Sequence, residues 1–406
     1  MLRSDISFRP RHLLLADAVR IFAGAERFLL DAGKGLADRG YRVTIQAYPD
    51  CPLAERAEEA GLDVHHVSTR ADGAPWTVAP LLSWLVEQEV DVVLSNYDKD
   101  LRTVGWAARM ARRPIAVIHS RECDVPLKNL PHYRFFYNRV AHHILTNSEA
   151  TRRSTLASAP WLSSDRISVL PKGIDLGAFA VADGRALRES MGVGPDEVLL
   201  GFAGQLVPRK RCAELLENLA HESLRARPWR LAIAGQGPED AALRESARVL
   251  GVGDRVIFCG YLETIAPFMR AIDVFILPSL VEGFGYVLAE AAAAGTPAVA
   301  YRSSSMPELI SPGESGLLAD PELPMSLIQA LFPLLDDAQL RQDMGARAME
   351  HARQHFDAEL MLDRLEDRIV QCYHAMRRSN EPPLPAMELS DGDATAGQTR
   401  SEEADA

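Results

Sequence analysis

Short apolar runs that alternate with helix-type amphipathic segments constrain the fold more than any other feature of the sequence. In the first half these runs are HLLLADA (12–18), YRVTIQA (41–47), LDVHHV (62–67), VDVVLS (90–95), PIAVIHS (114–120) and AHHILTN (141–147). The second half starts the pattern again with EVLLGFAG (197–204), WRLAIAG (229–235), RVIFCG (255–260), DVFILPS (273–279) and TPAVAY (296–301). Because strands that alternate with crossover helices form parallel sheets, the sequence predicts two doubly wound, Rossmann-like α/β domains.

The length of the chain also favours two domains, because 406 residues exceed the size at which one hydrophobic core stops growing. A turn-rich connection at 171–196 suits a hinge, and a cleft between two domains is the expected ligand site. From about 321 the pattern becomes helical, and the last residues are rich in Pro, Ser, Gly and acid. The predicted parts are an N-terminal domain (1–175), a C-terminal domain (176–355), a helix that returns to the N-terminal domain (356–378) and a disordered tail (379–406).

Cysteine usage and charge limit the classes of function. The five cysteines are scattered and never form a CxxC pair, which argues against a disulfide framework and a zinc site and favours the cytoplasm. The first residues read as neither an export signal nor a membrane span. Residues 1–175 carry a net charge of +2 and the remainder carries −14. This acidity disfavours bulk nucleic-acid binding, whereas the more basic half suits an anionic surface.

Two strand-to-helix turns are candidates for phosphate binding. Gly24 follows the first strand, where bare backbone amides and a helix N-terminus can face an anion. In the second half, Arg209, Lys210 and Arg211 stand at a helix start, where adjacent cations oppose the helix dipole unless an anion such as a diphosphate lies there. The alternatives are an ordinary packing glycine and a solvated basic turn.

The stretch SLVEGFGYVLAEAAAAGTP (279–297) adds a third turn and two carboxylates. The amides that can point at phosphate oxygens are those of Phe284, Gly285, Tyr286 and Val287. Glu290 lies on a buried helix face, where a carboxylate is costly unless a polar group meets it. It can accept hydrogen bonds from a ribose diol or pair with a nearby Lys or Arg. Glu282, in the loop, can meet sugar hydroxyls or positive charge that develops at the anomeric carbon.

Taken together, these segments resemble the retaining GT-B nucleotide-sugar glycosyltransferases of family four, which include bacterial lipopolysaccharide-core and mannosyl transferases. AGAERFLLDAGKGLADRGYRVTI is similar to the family's GGAER region, GQLVPRKR to its phosphate loop, and LAIAGQGP through FCGYL to its central stretch. EGFGYVLAEAAAAGTPAVA resembles its signature of two glutamates separated by seven residues. The resemblance covers roughly 12–375 and implies two Rossmann-like domains that face a central cleft.

The resemblance also implies roles for single residues. Lys210 matches the lysine that contacts the donor diphosphate, and Glu282 matches the glutamate near the donor sugar. Glu290 matches the glutamate that binds the ribose, and Gly24 matches the loop glycine near the phosphates. His119 occupies the place of a histidine that faces the transferred sugar, with a buried structural histidine as the alternative. The predicted catalytic residues are therefore His119, Glu282 and Lys210.

Some positions depart from the family pattern. Ala23 replaces the first glycine of the usual GG pair, and Gln205 stands where an arginine is usual. Arg209 is expected to supply the missing positive charge to the donor diphosphate. Lys172, near the hinge, stands where asparagine is common, and the sequence assigns it no role.

The activity that the resemblance implies is transfer from a nucleotide-sugar donor to a saccharide or lipid-linked acceptor in bacterial envelope synthesis, with neither a metal nor a cofactor. The N-terminal domain is expected to bind the acceptor. There, Lys128, His132, Arg134 and Arg139 interleave with aromatic residues, which suits an anionic saccharide, a lipid headgroup or peripheral contact with the inner face of the membrane. The alternative is a core helix whose basic side chains reach solvent.

Three other functions stay open at this point. A nucleotide-sugar epimerase of the same fold would use the donor site without an acceptor surface. A noncatalytic sugar-nucleotide-binding subunit is compatible with the altered glycine and arginine positions. An NAD-dependent dehydrogenase is the least supported, because Gly235 and Gly237 are followed by Asp240 where the dinucleotide fingerprint needs a third glycine.

Overall fold

The computed structural model describes residues 9–68 and 72–378, and its strands form two parallel sheets. The strands are β1 (His12–Ala16), β2 (Arg42–Ala47), β3 (Asp63–His66), β4 (Val92–Ser95), β5 (Ala116–Arg121), β6 (His143–Thr146), β7 (Ile167–Val169), β8 (Val198–Ala203), β9 (Trp229–Ala234), β10 (Val256–Gly260), β11 (Val274–Leu277), β12 (Ala298–Tyr301) and β13 (Gly316–Ala319). The N-terminal sheet has the order β3-β2-β1-β4-β5-β6-β7, and the C-terminal sheet has the order β10-β9-β8-β11-β12-β13. The predicted fold class is therefore confirmed.

Helices cover both faces of each sheet. They are α1 (Gly24–Asp38), α2 (Pro52–Glu59), α3 (Pro75–Glu87), α4 (Asp98–Asp100), α5 (Trp106–Met110), α6 (Pro131–Phe135), α7 (Glu149–Ser158), α8 (Leu176–Val181), α9 (Arg185–Ser190), α10 (Cys212–Leu219), α11 (Asp240–Val249), α12 (Ala266–Ala271), α13 (Tyr286–Ala294), α14 (Met306–Leu309), α15 (Ser326–Asp336), α16 (Ala338–His355) and α17 (Ala358–Arg377). Two π-helical segments, Leu101–Gly105 and Phe136–Val140, continue α4 and α6. Within the described ranges, no helix is long and apolar enough to cross a membrane.

Each predicted strand run contains an observed strand, but two edge strands were missed. Strand β7 has only three residues, so it gives no run long enough to recognise. Strand β13 begins at Gly316, after a turn, and a Cβ atom there would lie 2.4 Å from the Ala298 carbonyl oxygen. The predicted hinge also contains helices α8 and α9, and Phe179 of α8 is buried in the C-terminal core.

The amphipathic pattern of the first helix explains its place in the fold. In α1, Phe28, Leu29, Ala32 and Leu36 are buried in one core cluster with residues of β1 and β2. Burial of these side chains holds the helix on the sheet, so that its first turn lies at the carboxyl ends of the strands. In doubly wound sheets, ligands bind at that edge.

The last helix packs on the N-terminal domain. Leu362 and Leu365 of α17 belong to the same core cluster as α1, and a Cβ atom at Gly35 would lie 2.3 Å from Leu362. An isolated bridge between Ile174 and Asp357 joins the interdomain connection to the start of this helix. The crossing over 356–378 thus links both domains. The predicted disordered tail (379–406) lies outside the described residues.

Candidate functional site

The start of α13 exposes backbone donors to the cleft. Gly285 adopts φ +95, a left-handed conformation that favours glycine and turns the chain from the loop into the helix. Among the described residues, the amides of Phe284, Gly285, Tyr286 and Val287 have no hydrogen-bond partner. The hydroxyl of Ser305 donates to the Phe284 carbonyl over 2.8 Å and fixes the loop. This end of the helix therefore presents free N–H groups, as the sequence predicts for an anion site.

Lys210 and Glu282 form a buried ion pair beside these amides. The Lys210 Nζ donates to Glu282 Oε1 over 2.5 Å, and the two side chains are 9% and 8% exposed. The Oγ atoms of Ser304 and Ser305 lie 2.7 and 3.1 Å from the Glu282 carbonyl oxygen. Two residues predicted for the donor site are thus in direct contact, and both are anchored.

The other two cations of the basic turn have different surroundings. Arg211 adopts φ 56 and pairs with Glu214, one turn into α10. Arg209 is exposed. It lies close enough to Cys123, in the N-terminal domain, to oppose the rise that burial produces in the pKa of that thiol. Arg209 therefore faces the N-terminal domain across the cleft with its charge free of a carboxylate partner among the described residues.

Glu290 has a cation as its polar partner. Its side chain is 3% exposed, and Arg27 Nη1 of the N-terminal domain donates to its Oε1. The Arg27 guanidinium also lies 4.9 Å from the centroid of the Tyr286 ring. Burial alone would lower the pKa of Arg27, but the charge of Glu290 outweighs it and the pKa is raised. The ion-pair alternative for Glu290 is therefore present, and Oε2 of Glu290 keeps no partner among the described residues.

Gly24 brings the first helix against the same loop. It is the first residue of α1, and a Cβ atom there would lie 3.1 Å from the Tyr286 ring. Because only a glycine leaves this space, the N-termini of α1 and α13 come close together. The positive ends of two helix dipoles thus meet across the cleft.

His119 is buried rather than exposed to the cleft. It is 1% exposed, its Nδ1 lies 3.0 Å from Ser95 Oγ, and its Nε2 lies 3.1 Å from Tyr137 Oη. Asp98 Oδ1 lies 3.4 Å from the same Nε2 and accepts a hydrogen bond from Tyr137 over 2.6 Å. Burial would raise the pKa of Asp98, but His119 and Tyr137 hold it at about 2. With a side chain 30% exposed, Asp98 is the member of this group that reaches the surface.

A second buried ion pair lies where the two domains touch. Lys172 Nζ donates to Glu122 Oε1 over 2.6 Å and lies 3.2 Å from the centroid of the Phe28 ring. Asn147 Nδ2 donates to the Glu122 carbonyl over 2.8 Å. A Cβ atom at Gly283, in the C-terminal domain, would lie 2.2 Å from that carbonyl oxygen. Lys172, which the sequence left without a role, therefore anchors the loop on which the C-terminal domain rests.

Two further polar contacts hold the domains together. The Glu308 carboxylate accepts from the amides of Glu149 and Ala150, at the start of α7, over 2.7 and 2.8 Å. Ser304 Oγ donates to Asp124 Oδ2 over 2.6 Å. The described arrangement is therefore a closed one, with the candidate donor residues enclosed between the domains.

A group of buried acids lies under the loop that joins β1 to α1. Glu26 accepts hydrogen bonds from the Ala23 amide over 2.8 Å and from Tyr97 Oη over 2.6 Å. Burial raises the pKa of Asp17 to about 7 and raises the pKa of Asp100 well above its usual range. No group of three or more His, Cys, Asp or Glu in the described ranges is arranged to hold a metal ion.

The sequence did not single out Arg27, Asp98 or Glu122 as site residues. Their positions could have indicated them, because Arg27 follows the turn at Gly24, and Asp98 and Glu122 each follow the end of a predicted strand. Nothing in the sequence, however, identifies Arg27 as the partner of Glu290, since 263 positions separate them.

Known protein families and relatives match both domains of the chain. A family model of group 1 glycosyl transferases matches residues 184–351, and one of glycosyltransferase family 4 matches residues 22–178. The D-inositol 3-phosphate glycosyltransferase 2 of Catenulispora acidiphila is 36% identical over 373 residues, with 81% of this chain and 86% of that protein covered. The GDP-mannose-dependent alpha-(1-6)-phosphatidylinositol monomannoside mannosyltransferase of Mycolicibacterium smegmatis is 30% identical, with 85% and 96% covered.

Solved structures are similar over nearly the whole chain. The crystal structure of HepE from Anabaena in complex with UDP and glucose has a TM-score of 0.77 at 24% identity and covers 89% of this chain and 100% of that chain. A glycosyltransferase from Rickettsia africae has a TM-score of 0.78 at 16% identity, with 89% and 98% covered. These likenesses show that the two-domain architecture is shared.

Proposed function

Because the chain belongs to the GT-B glycosyltransferases of family 4, we propose that it moves a sugar from a nucleotide diphosphate donor to a saccharide or glycolipid acceptor with retention of anomeric configuration. The observation that carries the donor assignment is the meeting of Lys210, Glu282 and the free N-terminus of α13 in one cleft. A diphosphate is the anion that such a cation and such amides suit best.

In this proposal the donor lies along the C-terminal side of the cleft. Its diphosphate accepts from Lys210 and from the amides at the start of α13, with Arg209 as a second cation. The ribose diol donates to the free Oε2 of Glu290, and the sugar lies near Glu282. We expect this set of cations and amides to stabilise the leaving group without a metal ion, because each donor is already oriented before the charge develops.

In the proposed transfer step, one bond to the anomeric carbon breaks and another forms. The bond between the anomeric carbon and the diphosphate oxygen breaks, and its electron pair leaves with the diphosphate. The acceptor oxygen attacks from the same face, forms the new glycosidic bond and gives its proton to the departing phosphate oxygen. Closure of the two domains excludes water that would otherwise hydrolyse the donor.

Asp98 is the N-terminal carboxylate best placed to orient the acceptor. It is part-exposed, ionised and fixed by His119 and Tyr137, so it can accept a hydrogen bond from an acceptor hydroxyl. His119 then acts through Asp98 as a positioning residue, because both of its ring nitrogens are occupied. This differs from the direct contact with the transferred sugar that the family resemblance implies.

The names of the relatives narrow the acceptor class. They describe glycosyl transfer to D-inositol 3-phosphate and mannosyl transfer in phosphatidylinositol mannosides. We infer that the acceptor of this chain belongs to a bacterial envelope glycan or a small-molecule glycan. A polyol headgroup agrees better with the names of these relatives than lipopolysaccharide does. A role in lipopolysaccharide synthesis stays a prediction from the family resemblance.

Peripheral contact with an anionic membrane is part of the proposal. Leu130, Phe135 and Met110 are 44%, 40% and 51% exposed, and Lys128 and Arg134 lie among them in sequence. Exposed apolar side chains flanked by cations suit a lipid interface. We expect Phe135→Asp to weaken sedimentation with anionic vesicles, whereas an aspartate at the exposed aromatic position of the C-terminal domain, Tyr261, leaves it unchanged.

The donor proposal is tested by calorimetric titration of UDP-, GDP- and ADP-sugars, without added metal, into the wild type, Lys210→Ala and Arg225→Ala. Arg225 is an exposed cation of the same domain and serves as the matched control. We expect one nucleotide class to bind to the wild type and the control and to lose about 10- to 100-fold in affinity in Lys210→Ala. Circular dichroism confirms that the variant is folded. Absence of binding across the panel contradicts the donor site.

A turnover assay with the selected donor separates the remaining functions. Product formed only when an acceptor is present supports transfer. Conversion of the sugar nucleotide alone indicates an epimerase. Tight binding without turnover over a broad acceptor panel indicates a noncatalytic subunit, which is the outcome that contradicts the proposed activity.

A further inference from the structure

Three consecutive serines of the C-terminal domain hold the loop that carries Glu282. We call these residues (303–305), which follow β12, the serine triplet. In chain order, their Oγ atoms lie 2.7, 2.7 and 2.8 Å from the carbonyl oxygens of Leu280, Glu282 and Phe284. Successive serines thus contact every second carbonyl of the loop, and the middle one, Ser304, contacts the carbonyl of Glu282. The place of the Glu282 backbone therefore depends on the serine triplet.

Ser304 is held in a backbone conformation that serine rarely adopts. Its φ is 50, in the left-handed region that favours glycine. Such a conformation persists only where the surrounding contacts determine it, and it occurs often at functional sites. At Ser304 the conformation directs the side chain, so that the hydroxyl lies between an oxygen of its own domain and an oxygen of the N-terminal domain.

The Ser304 hydroxyl has one proton and two oxygen acceptors. Asp124 Oδ2, in the loop that follows β5, lies 2.6 Å from Ser304 Oγ, and the Glu282 carbonyl oxygen lies at 2.7 Å. Because a carboxylate is the stronger acceptor, the proton goes to Asp124 in the closed arrangement. The Ser304 oxygen then accepts from the Glu282 amide over 3.4 Å. If Asp124 withdraws, the Glu282 carbonyl is the acceptor that remains.

Asp124 belongs to the loop on which the C-terminal domain rests. Two residues earlier, Glu122 pairs with buried Lys172, and its carbonyl oxygen would lie 2.2 Å from a Cβ atom at Gly283. Within residues 9–68 and 72–378, the Asp124 carboxylate takes part in no salt bridge and accepts its one hydrogen bond from Ser304. The contact of this carboxylate is therefore with the other domain.

We propose that Ser304 and Asp124 are positioning residues of the transfer reaction, through which the placement of Glu282 depends on closure of the two domains. The inference rests on the proposed function, in which Glu282 lies near the donor sugar. In the closed arrangement, Asp124 turns the Ser304 hydroxyl away from the Glu282 carbonyl. Separation of the domains returns the hydroxyl to that carbonyl and shifts the loop. The Glu282 carboxylate is thus aligned only when both domains enclose the donor, which limits reaction with water.

The test compares variants of the full chain in which single groups of this chain of hydrogen bonds are removed. Glycine adopts φ 50 without strain, so Ser304→Gly removes the hydroxyl and keeps the backbone conformation. Asp124→Ala removes the acceptor in the other domain, and Asp124→Asn keeps a neutral acceptor there. Glu89→Gly is the matched control, because Glu89 is exposed, adopts φ 53 and precedes β4, at the edge of the N-terminal sheet opposite the cleft.

Turnover and calorimetric nucleotide binding are measured with the donor selected above and its acceptor. We expect Ser304→Gly and Asp124→Ala each to lower kcat about 10- to 100-fold. The Kd of the nucleotide diphosphate should change less than about threefold, because the contacts of Lys210 remain. Asp124→Asn should recover most of the lost kcat, and Glu89→Gly should match the wild type. The double variant Ser304→Gly/Asp124→Ala should be about as slow as the slower single variant, because both residues belong to one chain of hydrogen bonds.

Hydrogen exchange supplies a readout that does not need turnover. We expect the amides of residues 280–285 to exchange faster in Ser304→Gly and in Asp124→Ala than in the wild type, although Asp124 lies in the other domain. The proposal is overturned if either variant turns over as fast as the wild type, if the Kd of the nucleotide rises as much as kcat falls, or if exchange is unchanged in Asp124→Ala. A wild type that binds no nucleotide or transfers no sugar overturns the proposed function instead, and hydrogen exchange then decides whether Asp124 positions the loop.

Discussion

Arg27 and Glu290 join the two domains at the predicted ribose site, and their separation tests the closed arrangement directly. Removal of Arg27 leaves a carboxylate that is 3% exposed without its cation. Loss of one partner of a buried pair typically costs about 3–5 kcal/mol. Because the Arg27 side chain is 33% exposed, water replaces part of the interaction, and about 1–3 kcal/mol is the appropriate expectation. If nucleotide binds the closed state, Arg27→Ala lowers its affinity by about 5- to 150-fold.

A double-mutant cycle isolates this interaction. Nucleotide affinity is measured by calorimetry for the wild type, Arg27→Ala, Glu290→Ala and the double variant. We expect a coupling free energy of about 1 kcal/mol or more, because loss of the proposed ribose contact of Glu290 is common to both backgrounds and cancels, whereas loss of the contact with Arg27 does not. Asp31→Asn is the matched control, since Asp31 also contacts Arg27, over 3.6 Å, but lies outside the cleft contact. It is expected to change affinity by less than about 0.5 kcal/mol.

Small-angle scattering supplies a second readout that a purely structural role would not change. We expect nucleotide to reduce the radius of gyration of the wild type and to have a smaller effect on Arg27→Ala. Two results together would refute the idea that Arg27 couples domain closure to the ribose site. The effects of the two single variants on nucleotide affinity would add within about 0.5 kcal/mol, and nucleotide would compact Arg27→Ala as much as the wild type.

Three further predictions follow from particular contacts. Gly24→Val places side-chain atoms against the Tyr286 ring, where Cβ alone lies at 3.1 Å, so turnover should fall about tenfold while thermal stability stays within about 0.5 kcal/mol. Lys172→Met leaves Glu122 buried and unpaired, so urea unfolding should report a loss of about 3–5 kcal/mol, which the further change Glu122→Gln largely restores. Burial lowers the pKa of His143 from 6.5 to about 3. Its contribution to the free energy of unfolding is therefore present above pH 6.5 and is lost as the pH falls towards 3. Between these pH values, His143→Gln should reduce the slope of the free energy of unfolding against pH by about 1.4 kcal/mol per pH unit.

The backbone geometry around the residues predicted for the donor site was predictable because its signals are local. Gly285 and the amides after it are specified by the turn they form, and Lys210 by its place at the end of a strand-loop segment. Such features need only the neighbouring residues and the rule that parallel strands present their carboxyl ends together. The family resemblance then added roles that spacing alone does not supply.

Partners that come from the other domain were not predictable in the same way. Glu290 required a polar group, but the choice of Arg27 depends on how closely two domains approach, and no local pattern reports that distance. The surroundings of His119 were not predictable from the sequence either. Its position at a strand end suggests exposure to the ligand, yet Ser95 and Tyr137 occupy both ring nitrogens and leave Asp98 as the group that reaches the surface.

If the proposed donor site is correct, ligand binding there exchanges ion-pair partners, because the charges of the closed cleft are already paired. Two helix N-termini, Lys210 and Arg27 bring positive potential together, and Glu282 and Glu290 balance it when no donor lies there. In the proposed function, a diphosphate that binds Lys210 shares that cation with Glu282 or displaces Glu282, and the displaced carboxylate would then be free to face the sugar. Glu290 need not release Arg27, because its second oxygen is free for the ribose. The two ion pairs therefore respond differently to a donor. Lys210 variants should weaken the binding of nucleoside diphosphates whatever their base, through loss of the contact with the diphosphate, whereas Arg27 variants should act through closure of the two domains.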